Sequence, residues 1–169
     1  GSRKEALTDM GDVIIQKVLI REVDQLQAIG RKTFFETFSA GNTAENMQKY
    51  LAEEFSTDKV TAELGNPHSE FYFALLEGQV IGYLKLNFGK SQTELHDDKA
   101  LEIERIYVLQ EYHGQNIGQL LFQKAMEIAR TSEVHYVWLG VWEENPRAIR
   151  FYEKNGFVAF DKHIFKLGN

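Results

Sequence analysis

The chain has no cysteine among its 169 residues, so neither a structural disulfide nor a thiol nucleophile is available, a composition that suits a reducing cytoplasm. Proline is scarce. Of the two, Pro67 reads as part of a turn and Pro146 as a helix start. Apolar runs are short, 71–76 being typical, which leaves no bilayer-spanning stretch and no signal peptide. There is no basic run to offset a net charge of −6. That balance argues against non-specific nucleic-acid binding and against an anionic membrane surface, and it favours a cationic small molecule or a basic peptide tail. Repeats and low-complexity segments are also missing. What is present is a 43% apolar chain of single-domain size, long enough to bury a core.

Hydrophobic periodicity sets the order of elements. A weakly alternating, β-branched run over 13–20 predicts a strand. A helix is expected over 24–38, with Leu26, Ile29, Thr33, Phe34 and Thr37 near one face. Gly41-Asn42-Thr43 breaks it, a second helix covers 44–55, and Ser56 or Thr57 caps a short third one to Leu64. Runs 70–76 and 80–87 predict a hairpin turning at Glu77-Gly78-Gln79. Residues 88–99 read as a polar loop. A strand over 101–108, a helix over 114–131, a strand over 136–141, a helix from Asn145 and a strand over 157–165 complete the chain. Antiparallel strands early and helical crossovers later imply an α/β or α+β architecture, a mixed sheet covered by helices.

The turn Tyr112-His113-Gly114-Gln115-Asn116-Ile117-Gly118 lies between a strand and an amphipathic helix. Such a turn gathers main-chain N–H groups at the positive end of a helix dipole, where a diphosphate can rest. It carries neither the lysine of a Walker loop nor the three glycines of a dinucleotide fold. It resembles the acetyl-CoA loop of the GNAT superfamily of N-acetyltransferases, Gln/Arg-x-x-Gly-x-Gly/Ala. His113 takes the Gln/Arg place, Asn116 the first Gly place and Gly118 the last. Asn tolerates positive φ better than other non-glycine residues, so Asn116 can keep the loop's shape. A second signature, Asn-x-x-Ala-x-x-Phe-Tyr-x-x-x-Gly-Phe, is filled at every named position by Asn145, Ala148, Phe151, Tyr152, Gly156 and Phe157. The likeness runs from about residue 13 to the end, and 103–107 with 138–142 look most like bacterial spermidine/spermine acetyltransferases of the PaiA type.

The resemblance implies acetyl-CoA as cosubstrate, no metal, and a single N-acetyltransferase domain over 13–169. Residues 1–12 are expected to be a disordered leader, Gly1-Ser2 reading as a tag remnant. Cofactor contacts are implied at Ile106, Tyr107 and Val108, where the strand splays at a bulge, at His113, Gly114, Gln115, Asn116, Ile117, Gly118 and Gln119, and at Asn145, Arg147 and Tyr152. The GNAT fold usually closes with a two-stranded hairpin. Here its last strand is expected to be missing, through truncation, disorder or exchange between the subunits of a homodimer.

Acetyl transfer to an amine needs a deprotonated amine, a donor for the carbonyl oxygen and a proton for the departing thiolate. A primary amine with a pKa of ~10.4 is protonated at neutral pH, so a carboxylate or ordered water must accept its proton. Period two places Glu102 and Glu104 on one strand face with Ile106 and Val108, and Glu104 is the first choice by resemblance. Tyr152 is the implied thiolate donor. The expected acceptor is a polyamine such as spermidine or spermine, held by Glu36, Glu102 and Glu104. The alternatives are a protein or peptide amine, an aminoglycoside, or a non-catalytic acyl-CoA sensor. His96-Asp97-Asp98 lacks a further spaced ligand and reads as a solvated loop rather than a metal site.

Overall fold

A computed structural model describes residues 12–141, 145–160 and 163–167. It contains β1 (Ile14–Lys17), α1 (Val23–Phe38), α2 (Ala44–Glu54), α3 (Thr57–Leu64), β2 (Ser69–Leu76), β3 (Gln79–Phe88), β4 (Ala100–Val108), α4 (Ile117–Thr131), β5 (Tyr136–Gly140), α5 (Pro146–Lys154), β6 (Val158–Phe160) and β7 (His163–Leu167). The seven strands form one mixed sheet in the order β1-β2-β3-β4-β5-β7-β6. All pairs are antiparallel except β4 with β5, which the α4 crossover makes parallel.

Local chemistry accounts for the boundaries. The Thr43 and Ser56 side chains accept the Asn46 and Lys59 amides and start α2 and α3. Glu77 and Gly78, both at positive φ, make the tight turn between β2 and β3. The helix expected from 114 begins at Ile117, because Gly114 and Asn116 take left-handed conformations that cannot continue a helix.

The closing hairpin corrects the expectation of a missing strand. Both strands are present: β7 pairs antiparallel with β5 from Tyr136↔Leu167 to Gly140↔His163, and β6 pairs with the outer side of β7. The single strand expected over 157–165 takes in β6 and the start of β7. β6 ends at Phe160 and β7 begins at His163, a division that period alone does not place.

The core lies on both faces of the sheet. Leu121 and Ala125 of α4 are fully buried, and Leu26, Ile29 and Thr33 of α1 are buried on the helical layer that also holds α3. Gly82 permits close contact between β3 and β4: a Cβ there would stand 2.7 Å from the Tyr107 carbonyl oxygen and 3.3 Å from the Val108 Cα. Gly82→Ala is expected to cost about 1–3 kcal/mol by pushing β4 outward, measurable as a lower urea midpoint at unchanged m-value.

Two features of β4 matter beyond the core. Its register against β3 slips between Lys85 and Leu86, so that Arg105 faces Lys85, Ile103 faces Leu86, and Glu104 is the extra residue of a bulge. Its pairing with β5 ends at Glu102↔Trp138, although β4 itself continues to Val108. Past Glu102 the two parallel strands diverge, and among the described residues the β5-facing main-chain groups of β4 have no strand partner.

Candidate active site

The divergence opens a cavity of about 340 Å³ at the carboxyl ends of the parallel strands, where ligands of open α/β sheets characteristically bind. One wall is the free edge of β4, with Ile103, Glu104, Ile106, Tyr107 and Val108. The second is the turn into α4, with His113, Gly114, Asn116, Ile117, Gly118 and Gln119. The third is α5 with its lead-in, contributing Asn145, Arg147, Ala148, Phe151, Tyr152 and Lys154. Thr37 and Phe38, at the end of α1, close one side.

The turn is built to receive negative charge. Gly114 has φ +82° and Asn116 φ +64°, and no side chain caps α4. The first amides of that helix are therefore left without intrahelical partners at the positive end of its dipole. Gln115 is exposed and lies outside the cavity lining, unlike its neighbours in the turn. His113 bridges two walls: its Nε2–H donates to the Val108 carbonyl at 2.8 Å, and its Nδ1 accepts from Arg147 Nη1.

Asn145 caps α5, its Oδ1 accepting the Ala148 amide at 3.2 Å, with Pro146 at the first helical position. The cap aims α5 so that Tyr152 reaches the cavity. Tyr152 is 6% exposed and packs edge-on to Phe151, with Phe157 at 5.7 Å. Burial, then the neighbouring Tyr107, pushes its phenol well above the ordinary range. The hydroxyl is therefore a proton donor at any physiological pH. Among the described residues it has no hydrogen-bond partner, so it is free to donate to a ligand.

The three carboxylates expected to face an amine are not equivalent. Glu102 is 3% exposed and outside the cavity. It accepts the Thr93 amide at 2.8 Å, the Thr93 hydroxyl at 2.6 Å and Asn87 Nδ2 at 3.0 Å, pinning the loop after β3. Glu36 is also outside, its Oε1 accepting the Gln110 amide at 2.9 Å and fastening α1 to the end of β4. Glu104 lines the cavity. The bulge also breaks the simple alternation expected there: Arg105 and Tyr107 pair across β3 with Lys85 and Tyr83, so period two does not extend from Glu102 to Val108.

Glu104 belongs to a ring of four charges that the sequence did not reveal. Lys85 Nζ lies 2.8 Å from Glu104 Oε1 and 3.6 Å from Glu63 Oε1. Arg105 lies 3.2 Å from each of Glu63 and Glu104. Burial raises the Glu104 carboxyl, but Arg105, Lys85 and the Asn87 amide outweigh it and hold the group below its ordinary range. No cluster of three or more metal-ligating side chains occurs among the described residues. Nor is any described helix long and apolar enough to cross a membrane.

Comparison with known proteins supplies the identity of this arrangement. A model of the acetyltransferase (GNAT) family matches residues 31–157. An uncharacterized N-acetyltransferase of Lactobacillus delbrueckii subsp. lactis is 39% identical over 160 residues, 95% of this chain and 92% of that protein. A spermidine N(1)-acetyltransferase of Thermoplasma acidophilum is 25% identical over 151 residues, 87% of this chain and 89% of that protein. Among solved structures, the PaiA N-acetyltransferase of Thermoplasma acidophilum in complex with coenzyme A has the same fold, with a TM-score of 0.77 at 22% identity over 91% of this chain and 96% of that one. The family match spans α1 to α5 and takes in every wall of the cavity, so the chain belongs to the GNAT family and is an acetyl-CoA-dependent N-acetyltransferase.

Proposed function

We propose that the acceptor is a polyamine such as spermidine or spermine, acetylated by direct attack in a ternary complex. The observation that carries the reading is one cavity lined by the uncapped turn into α4, by Tyr152 and by the carboxylate of Glu104. The acidic balance of the chain and the likeness to the Thermoplasma spermidine acetyltransferase support a polycationic acceptor.

In this reading the amides between His113 and Gln119 hold the diphosphate, the His113 amide itself being spent on the Gln110 carbonyl, and the free edge at Ile106, Tyr107 and Val108 binds the pantetheine arm. Asn145 flanks that arm, and the thioester lies beside Tyr152. The amine nitrogen attacks the thioester carbonyl carbon, the C–S bond breaks, and the products are an amide and coenzyme A thiol. A main-chain N–H of β4 polarises the carbonyl oxygen. The Tyr152 hydroxyl donates to the departing sulfur. A carboxylate held below its ordinary range is a weak base, so Glu104 orients the ammonium while the amine proton leaves through water. Glu36 and Glu102, engaged elsewhere, contribute only to the field around the acceptor.

The test follows thiol release from acetyl-CoA with spermidine, spermine, simple monoamines, peptide amino termini and an aminoglycoside. The expected result is a kcat/KM for the polyamines at least tenfold above the rest. A preference for a peptide or an aminoglycoside would replace the acceptor assignment, and binding of acetyl-CoA without turnover on any amine would favour a sensor.

A further inference from the structure

We propose that His113 serves the cofactor only through Arg147: it takes no phosphate itself, and it fixes the Arg147 guanidinium across the cavity mouth, where that group receives the diphosphate of coenzyme A. The inference rests on the reading that the diphosphate lies over the start of α4.

The two ring nitrogens decide the matter. Because Nε2 donates its proton to the Val108 carbonyl, Nδ1 carries a lone pair, and that lone pair is aimed at Arg147. A neutral imidazole in this tautomer has no N–H left for an anion. His113 therefore cannot do what a glutamine or arginine could do at the head of the turn. Arg147 is placed to supply the missing cation. It stands in the first turn of α5, on the wall opposite Gly114 and Gly118. One of its five N–H groups is used by His113, and no carboxylate among the described residues forms an ion pair with it. The remaining donors form the planar fork that suits phosphate oxygens.

Val108 ends the free edge of β4, so this one ring ties together the strand, the turn and α5. Holding a long, rotamer-rich side chain in advance lowers the ordering cost of binding. His113 is thus a positioning residue, and Arg147 the group that meets the ligand.

Calorimetric titration of coenzyme A and dephospho-coenzyme A into the wild type, His113→Phe, Arg147→Ala and the double variant tests this. Arg147→Ala should weaken both ligands about tenfold, since both carry the diphosphate and lose one charge-assisted contact. His113→Phe should weaken them about fivefold with at most a small fall in melting temperature, raising the KM for acetyl-CoA while leaving kcat in place. The double variant should bind no worse than Arg147→Ala, the signature of two residues acting as one. His113→Gln, which keeps one donor and one acceptor, should remain within about twofold of wild type. Additive losses would show that His113 contributes independently, and an unaffected His113→Phe would show that Arg147 needs no support. Either result overturns the proposal while leaving the phosphate site intact. A loss confined to coenzyme A would assign Arg147 to the 3′-phosphate and overturn the diphosphate contact. Absence of binding by the wild type would remove the site reading and the proposal together.

Discussion

Tyr152→Phe is expected to lower kcat about 100-fold or more, within the range for removing a positioned proton donor, with acetyl-CoA affinity changed by less than about twofold. The substitution deletes one oxygen and leaves the ring, so the contacts with Phe151 and Phe157 persist and the melting temperature should barely move. The acidity of the phenol bears on how the loss arises. Burial makes Tyr152 a weaker acid than free tyrosine, and a coenzyme A thiol in water, near ~8.5, is the stronger acid of the two. Complete transfer is therefore uphill if the sulfur stays solvated. Inside the cavity the thiolate is desolvated by the same walls, its proton affinity rises, and the two acidities converge. A hydrogen bond that strengthens as charge grows on sulfur is then enough to stabilise the transition state. Steady-state kinetics paired with calorimetry separates the two effects: a kcat within threefold of wild type would remove Tyr152 from the chemistry.

How this site could be read in advance depends on whether its residues report locally. Asn145, Ala148, Phe151, Tyr152, Gly156 and Phe157 fall on one capped helix and its exit, where spacing translates directly into a face. Lys154 lies two helical turns on from Arg147, and the same spacing places it on the cavity wall. Asn116 at positive φ was legible because few residues accept that geometry. The carboxylates were not. Glu102 and Glu104 both meet the Asn87 amide and so share a face, and which of them enters the cavity turns on where β4 parts from β5, just past Glu102, a tertiary fact. Glu63 is 42 residues from Arg105 and carries no local signal of its partner. Thr37 and Phe38 were part of the expected first helix, but their meeting with β4 is a tertiary fact.

That hidden ring gives the largest stability effect expected in the molecule. Lys85 has a side chain only 8% exposed, flanked by Glu63 and Glu104, with its ammonium 5.5 Å from the centre of the Phe71 ring. With Arg105 it balances two carboxylates with two cations. Lys85→Met keeps the aliphatic volume and deletes one positive charge, leaving Arg105 to compensate both acids. Removing one member of a buried ion network typically costs ~3–5 kcal/mol, because the abandoned charge stays desolvated. Partial exposure of the carboxylates, at 18% and 21%, places the expectation at the lower end, about 3 kcal/mol in urea unfolding at pH 7. The dependence on pH has a definite sign. Glu104 is depressed in the folded protein, so its contribution is present above the unfolded glutamate value of ~4.3 and fades as pH falls through the folded value. In Lys85→Met the uncompensated carboxylate is relieved by protonation, so the gap between variant and wild type should narrow on acidification below about pH 5. Replacing Glu63 by glutamine in the Lys85→Met background restores a one-to-one pairing of Arg105 with Glu104 and should return most of the lost stability. A Lys85→Met protein as stable as wild type at pH 7, or a gap that widens in acid, would show that the ring does not hold α3 against the sheet.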